Sequence, residues 1–169
     1  MLTKKKIKEQ IESIRDPLLF TAFQFEGHAI EEHVLSDDKL RWKLWKKKAP
    51  VDNDDIVMVT RFFSKESALN LIANALLKNL DEIVKWLLSD TNRVFVATAT
   101  FEEPTGDGLT KNTDWTKTIP VHDVRVIIKK DFRIISRSFS IITAYPQRSF
   151  EDVDVIYEAI DEYTSRKEK

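Results

Sequence analysis

A chain of 169 residues is long enough to bury one core without a metal or disulfides, and 42% hydrophobic and 33% charged residues with three glycines and five prolines exclude long low-complexity stretches. It holds no cysteine, which removes disulfides, thiolate zinc sites, iron–sulfur ligation and a cysteine nucleophile together. A net charge of −1 gives no overall attraction for nucleic acid, so any such role needs a local basic patch.

In chain order, Ile7, Ile11 and Ile14 recur at helical spacing among lysines and glutamates, and Pro17 follows, which predicts an amphipathic helix over 3–15. No apolar h-region or cleavage site accompanies the lysine-rich start, and no apolar run approaches the roughly 20 residues needed to span a bilayer. A cytoplasmic site of action with no membrane partner is therefore expected. A short helix is expected over 29–34. A third should run from Asp37 or Asp38 to Lys47, with acidic residues at its positive N-terminal end and lysines at the other.

Pro50 and the Asp52 to Asp55 cluster predict a loop. Residues 56–63, β-branched and aromatic, predict a strand. Ser64 is a candidate N-cap for one long core helix carrying Leu69, Ile72, Leu76, Leu80, Ile83 and Leu87 as far as Asp90. Residues 93–101, 121–129 and 133–145 read as strands. A polar loop with Gly106, Asp107 and Gly108 lies between the first two, and Lys130 and Asp131 form a hairpin tip. Val153, Ile156, Tyr157 and Ile160 predict a C-terminal helix in the acidic stretch 151–162. Helices before strands predict one α+β domain over 1–169, with an antiparallel β-sheet joined by hairpins.

The candidates for chemistry are few. His28 and His33 lie five apart, a poor metal-ligand interval, and the zincin pattern with histidines four apart is absent. No phosphate loop, nucleophile elbow or dinucleotide fingerprint occurs. His122, beside Asp123, offers a second acid–base group or, as the favoured alternative, a structural histidine. Lys39, Arg41, Lys43, Lys46, Lys47 and Lys48 make a dense cationic run, to be read as a solvated helix end or as an RNA groove. Trp42 and Trp45 within it either stack on bases or pack on the core, core packing being favoured. The residues alone lead to an α+β domain with a candidate histidine site.

Four ordered pieces go further: Glu26-Gly-His-Ala-Ile-Glu-Glu-His-Val34, then Arg61-Phe-Phe-Ser-Lys-Glu-Ser-Ala68 leading to Trp86, then 124–129, then Ile141-Ile-Thr-Ala-Tyr-Pro146. Together, over about residues 25–146, they resemble the bacterial ribonuclease A-like toxin domain found at the C-termini of contact-dependent growth inhibition and other polymorphic toxins. The helices outside that span have no counterpart in the resemblance.

The resemblance implies an α+β fold without disulfides and an active site on His33, on Arg41 or Lys43, and on Thr143 and Tyr145. His28, Lys46, Lys47 and Trp42 are candidate substrate contacts. The first motif departs from the family in its single glycine before His28 and in Ala29 where threonine is usual. The spacing to the basic residue is about one short, which leaves both Arg41 and Lys43 open.

The implied reaction needs no metal or other cofactor. A base takes the ribose 2′-hydroxyl proton, the oxygen attacks phosphorus, and a 2′,3′-cyclic phosphate forms as the strand breaks, a step closed to DNA. His33 would act as base or acid, the cation would offset phosphorane charge, and two hydroxyls would hold the phosphate. The implied partners are RNA, with tRNA one option, and an acidic cognate immunity protein, with action in the target cell cytoplasm after delivery. Two alternatives stand beside this: a non-catalytic binding or immunity-type module, and a metal-dependent nuclease built on Asp52 to Asp55.

Overall fold

The computed structural model describes residues 2–23, 33–47, 56–132 and 138–167. The expected helix over 29–34 falls outside them apart from His33 and Val34, which sit in a turn, and His28, Lys48 and the Asp52 to Asp55 cluster lie outside them as well.

Helix α1 (Lys4–Ser13) starts where the Thr3 hydroxyl accepts the Lys6 amide, and it buries Ile7 and Ile11. A short α2 (Pro17–Phe20) and a 3₁₀ turn (Thr21–Phe23) drive Phe20 and Phe23 into the core. Helix α3 (Asp37–Lys46) is capped by Ser36 and carries Asp37 and Asp38 in its first turn and Lys43 and Lys46 in its last, which suits the helix dipole. The expected strand is β1 (Met58–Phe62).

The predicted long helix is two helices, α4 (Lys65–Lys78) and α5 (Leu80–Leu88). Asn79 breaks it: its backbone leaves helical geometry at φ −108, ψ 17, and its side-chain amide donates to the carbonyls of Ala75 and Thr98. A polar side chain competing for backbone acceptors interrupts an apolar periodicity that runs on unbroken in the sequence.

Strands β2 (Val94–Thr100), β5 (Asp123–Lys130) and β6 (Phe139–Gln147) form an antiparallel sheet in the order β2-β5-β6. A second antiparallel sheet, ordered β1-β3-β4, uses β3 (Gly106–Thr110) and β4 (Ile119–Val121). The architecture is α+β as expected, with two sheets in place of one.

The stretch expected to be a polar loop is therefore β3, buried throughout. Its glycines are needed for close approach. A Cβ on Gly106 would stand 2.1 Å from the Arg61 carbonyl oxygen, and one on Gly108 2.4 Å from that of Val59. Helix α6 (Phe150–Lys167) is the expected C-terminal helix and packs Ile156 on Ile119 and Val121.

The main core lies between one face of the β2-β5-β6 sheet and helices α1, α4 and α5. It is built from Ile7, Ile11, Leu69, Ile72, Leu76 and Ile83 against Ala97, Val126, Ile128, Phe139, Ile141 and Ala144. Each of the isoleucine, leucine, valine and phenylalanine side chains contributes roughly 1.5–3 kcal/mol on full burial, and the alanines less. In β6 the partner of Ile128 is Ile141 and that of Ile127 is Thr143, so Ile142 is an extra residue, a β-bulge. Phe139 and Ile141 before the bulge and Ala144 after it all face the core. Thr143, Tyr145 and Gln147 consequently stand on the opposite, open face.

Candidate active site

Strict alternation would place Thr143 and Tyr145 on the same side as Phe139 and Ile141. The extra residue reverses the parity, and both hydroxyl side chains come out half-buried beside His33. The Thr143 hydroxyl lies 3.2 Å from His33 Nε2, and the His33 and Tyr145 rings are tilted at 39° with centroids 5.5 Å apart. Residues 110 positions apart in the chain thus meet in one place.

His33 is held from β1. Its carbonyl accepts the Phe62 amide at 2.7 Å. Arg61, one residue earlier, donates from one terminal nitrogen to the Leu35 carbonyl at 3.0 Å and pairs with Asp37 at 2.7 Å. Its Nε pairs with Asp107 at 2.8 Å, and Asp107 also accepts from Thr118. Arg61 and Asp107 have side chains only 15% and 12% exposed, so the segment leading from His33 into α3 is fastened by a nearly buried ion pair.

Burial first, and the Lys43 ammonium second, push the His33 imidazole down to about 4 from its usual 6.5. At neutral pH it is uncharged, and one of its two ring nitrogens carries a lone pair able to accept a proton. His33 and Tyr145 line a cavity of about 330 Å³ together with Lys43, Lys47, Thr60 and Arg148. Lys43 and Lys47 are four apart on the same side of α3, and Lys47 also donates to the Met58 carbonyl at 3.1 Å. Burial, and then the Arg148 charge, lower the Lys47 pKa. Three cations converging on one wall make the local basic patch that the net charge conceals.

The other candidates fall elsewhere. Arg41 turns away from the cavity, donating to the Trp115 carbonyl at 3.1 Å and pairing with Asp38. Of the two cations left open, only Lys43 shares a cavity with His33. Trp42 and Trp45 are 54% and 71% exposed, correcting the expectation of core packing. The buried face of α3 is Leu40 and Leu44, and Lys46 lies over the Trp42 ring at 4.1 Å, outside the cavity lining. His122 stands outside the cavity lining: its Nδ1 is 2.7 Å from buried Asp152, which also accepts its amide and so ties α6 to the start of β5.

Sequence reasoning did not single out Arg148, Thr60 or Arg61 as individual site residues. Arg61 does open one of the quoted motifs. For Arg148, the signal available was a cation just past the Thr-Ala-Tyr-Pro segment.

Comparisons with known proteins bear on the same region. The family model for the bacterial CdiA-CT RNase A domain matches residues 27–146, a span that takes in His33, Lys43, Thr143 and Tyr145. A search of curated proteins finds no match. Among solved structures, a chain of the CdiA-CT/CdiI complex from Y. kristensenii 33638 superimposes with a TM-score of 0.59 at 20% identity, over 72% of this chain and 99% of that one. At that identity the likeness supports the α+β fold. The family match covers well over half of the sequence, and the chain belongs to the bacterial CdiA-CT RNase A domain family.

Proposed function

We propose that the chain is a metal-independent endoribonuclease toxin domain that cleaves RNA by attack of the ribose 2′-hydroxyl on the adjacent phosphorus. The observation that carries this is the neutral His33 imidazole, 3.2 Å from the Thr143 hydroxyl and in ring contact with Tyr145, in a cavity shared with Lys43. His33 accepts the 2′-hydroxyl proton. The 2′-oxygen bonds to phosphorus, and the bond to the 5′-oxygen breaks, that oxygen taking a proton from water, whose hydroxide is in turn neutralised by the proton on His33. A 2′,3′-cyclic phosphate is left on one fragment and a 5′-hydroxyl on the other.

Lys43 is the cation that offsets the second negative charge of the phosphorane, and the Thr143 and Tyr145 hydroxyls orient the non-bridging oxygens. Lys47 and Arg148 attract and hold the substrate backbone. A cognate immunity protein is expected to cover this lysine-lined cavity with an acidic surface, in keeping with the CdiA-CT/CdiI complex of Y. kristensenii 33638. The site of action is the cytoplasm of the target cell.

The test is incubation of the purified protein with total RNA in excess EDTA, beside His33→Ala. Wild type should produce fragments ending in 2′,3′-cyclic phosphate, and the variant should be slower by about 10²- to 10⁴-fold. Intact RNA in both reactions would leave a non-catalytic binding module, and cleavage that EDTA abolishes would replace this chemistry with a metal-dependent one.

A further inference from the structure

The open face of the β2-β5-β6 sheet continues beyond Tyr145, and one guanidinium nitrogen on it has no acceptor among the described residues. Arg125 stands opposite Tyr145 on β6 and opposite Thr98 on β2, so the three form a row across the face that carries His33. Its Nε is buried and has no hydrogen-bond partner among the described residues. The carboxylate two positions earlier on the same face, Asp123, is engaged by the Thr100 hydroxyl at 2.5 Å.

A guanidinium stays charged at every working pH, and leaving a buried donor of such a group unmatched is costly. Its planar fork suits the oxygens of a phosphodiester, which it can grip with two parallel bonds. Arg125 sits one strand, about 4.8 Å, from Tyr145. With the length of its side chain it can reach the phosphate next to the one held by His33, Thr143 and Tyr145. Exposed Thr98 adds a hydroxyl at the far end of the row.

We infer that Arg125 and Thr98 form a second phosphate subsite, which binds the phosphodiester adjacent to the one cleaved. The substrate is then an oligonucleotide laid across the strands from β6 towards β2, and a single phosphodiester fills only part of the site. This rests on the ribonuclease reading.

The experiment uses the full chain as wild type, R125A and R125K. It compares kcat/KM for a tetranucleotide with kcat/KM for a dinucleoside monophosphate, which has one phosphodiester. The preference for the longer substrate should shrink about tenfold in R125A, mainly through KM, and R125K should retain part of it. The salt slope of tetranucleotide binding should become shallower by about 0.7. An unchanged preference in R125A overturns the subsite.

If wild type cleaves neither substrate, the ribonuclease reading is what fails. Fluorescence anisotropy with a 2′-deoxy tetranucleotide then decides the subsite: roughly tenfold weaker binding by R125A supports it, and equal binding overturns it. Should R125A melt below the assay temperature, R125Q, which removes the charge but keeps most of the length, takes its place in both measurements.

Discussion

The two sheets both pack apolar side chains under helices, but only one of them carries a nearly buried ion pair. In β2-β5-β6 the inward side chains, Val126, Ile128, Ile141 and Ala144 among them, are fully buried against helices, so the open face is free to carry polar groups. In β1-β3-β4 the inner strand is Gly-Asp-Gly-Leu-Thr, held by the Arg61–Asp107 pair and by backbones too close for a Cβ. The first sheet is an apolar slab with hydroxyls mounted on its outer side. The second adds an ion-pair clamp to its own apolar packing under α3 and α6, and the clamp fixes the segment bearing His33. Substitutions on the slab's open face should therefore change chemistry at constant stability, and substitutions in the clamp should change both.

The largest effect should come from Arg61→Ala, which leaves Asp107 buried without its cation and frees the Leu35 carbonyl. A loss of about 3–5 kcal/mol in urea unfolding is expected, together with loss of cleavage in whatever remains folded. Full stability in this variant would dissolve the contrast between the sheets. Lys43→Met comes next: it should lower single-turnover cleavage by about 10²-fold at nearly wild-type stability, because Lys43 faces the cavity.

On the slab, Thr143→Val should lower kcat by about tenfold without moving the melting temperature by more than a few degrees. Smallest is Arg41→Ala, with less than about 1 kcal/mol of destabilisation and little effect on rate. A larger rate loss there than in Lys43→Met would transfer the cationic role to Arg41.

The pH profile sharpens the same comparison. A base must be unprotonated, so the acid limb of kcat/KM should lie near 4, where burial and Lys43 have pushed His33, rather than near 6.5. Lys43→Met removes the lesser cause and should move that limb upward by a fraction of the gap. For stability the sign is the following. The unfolded chain binds the His33 proton below 6.5 and the folded chain only near 4, so folding is at full strength above 6.5 and weakens as pH falls from 6.5 towards 4. Melting curves of His33→Ala should lack that part of the pH dependence.

Residue types alone lead only to a candidate histidine site, and it is the order of the four motifs, through the family resemblance, that points to His33, Thr143 and Tyr145. Thr143 and Tyr145, two apart in a β-rich segment, share a face whichever face it is, and the lysine run at 39–48 gives a cation within reach of His33. The choice between Lys43 and Arg41 was not legible, because it depends on the rotation of α3, which Leu40 and Leu44 set by packing on Val59 and Leu109. β3 was missed for a related reason. Gly106, Asp107 and Gly108 carry every local signal of a turn, and only the backbones of Arg61 and Val59 pressing against them explain a strand there. The break at Asn79 likewise depends on an acceptor, the Thr98 carbonyl, from another element.

The extra residue at Ile142 divides β6 into two pieces that tolerate insertions and deletions differently. Removing Ile142 itself would restore regular pairing while Ile141 still points inward and Thr143 outward, because Ile128 and Ile127 already pair with those two residues. Removing or adding one residue between 143 and 147 would turn a hydroxyl towards the apolar side and an aliphatic group towards the cavity. Length variation among related chains should therefore collect at this one position, and the interval from Thr143 to Tyr145 should stay fixed while the distance back to Phe139 varies by one.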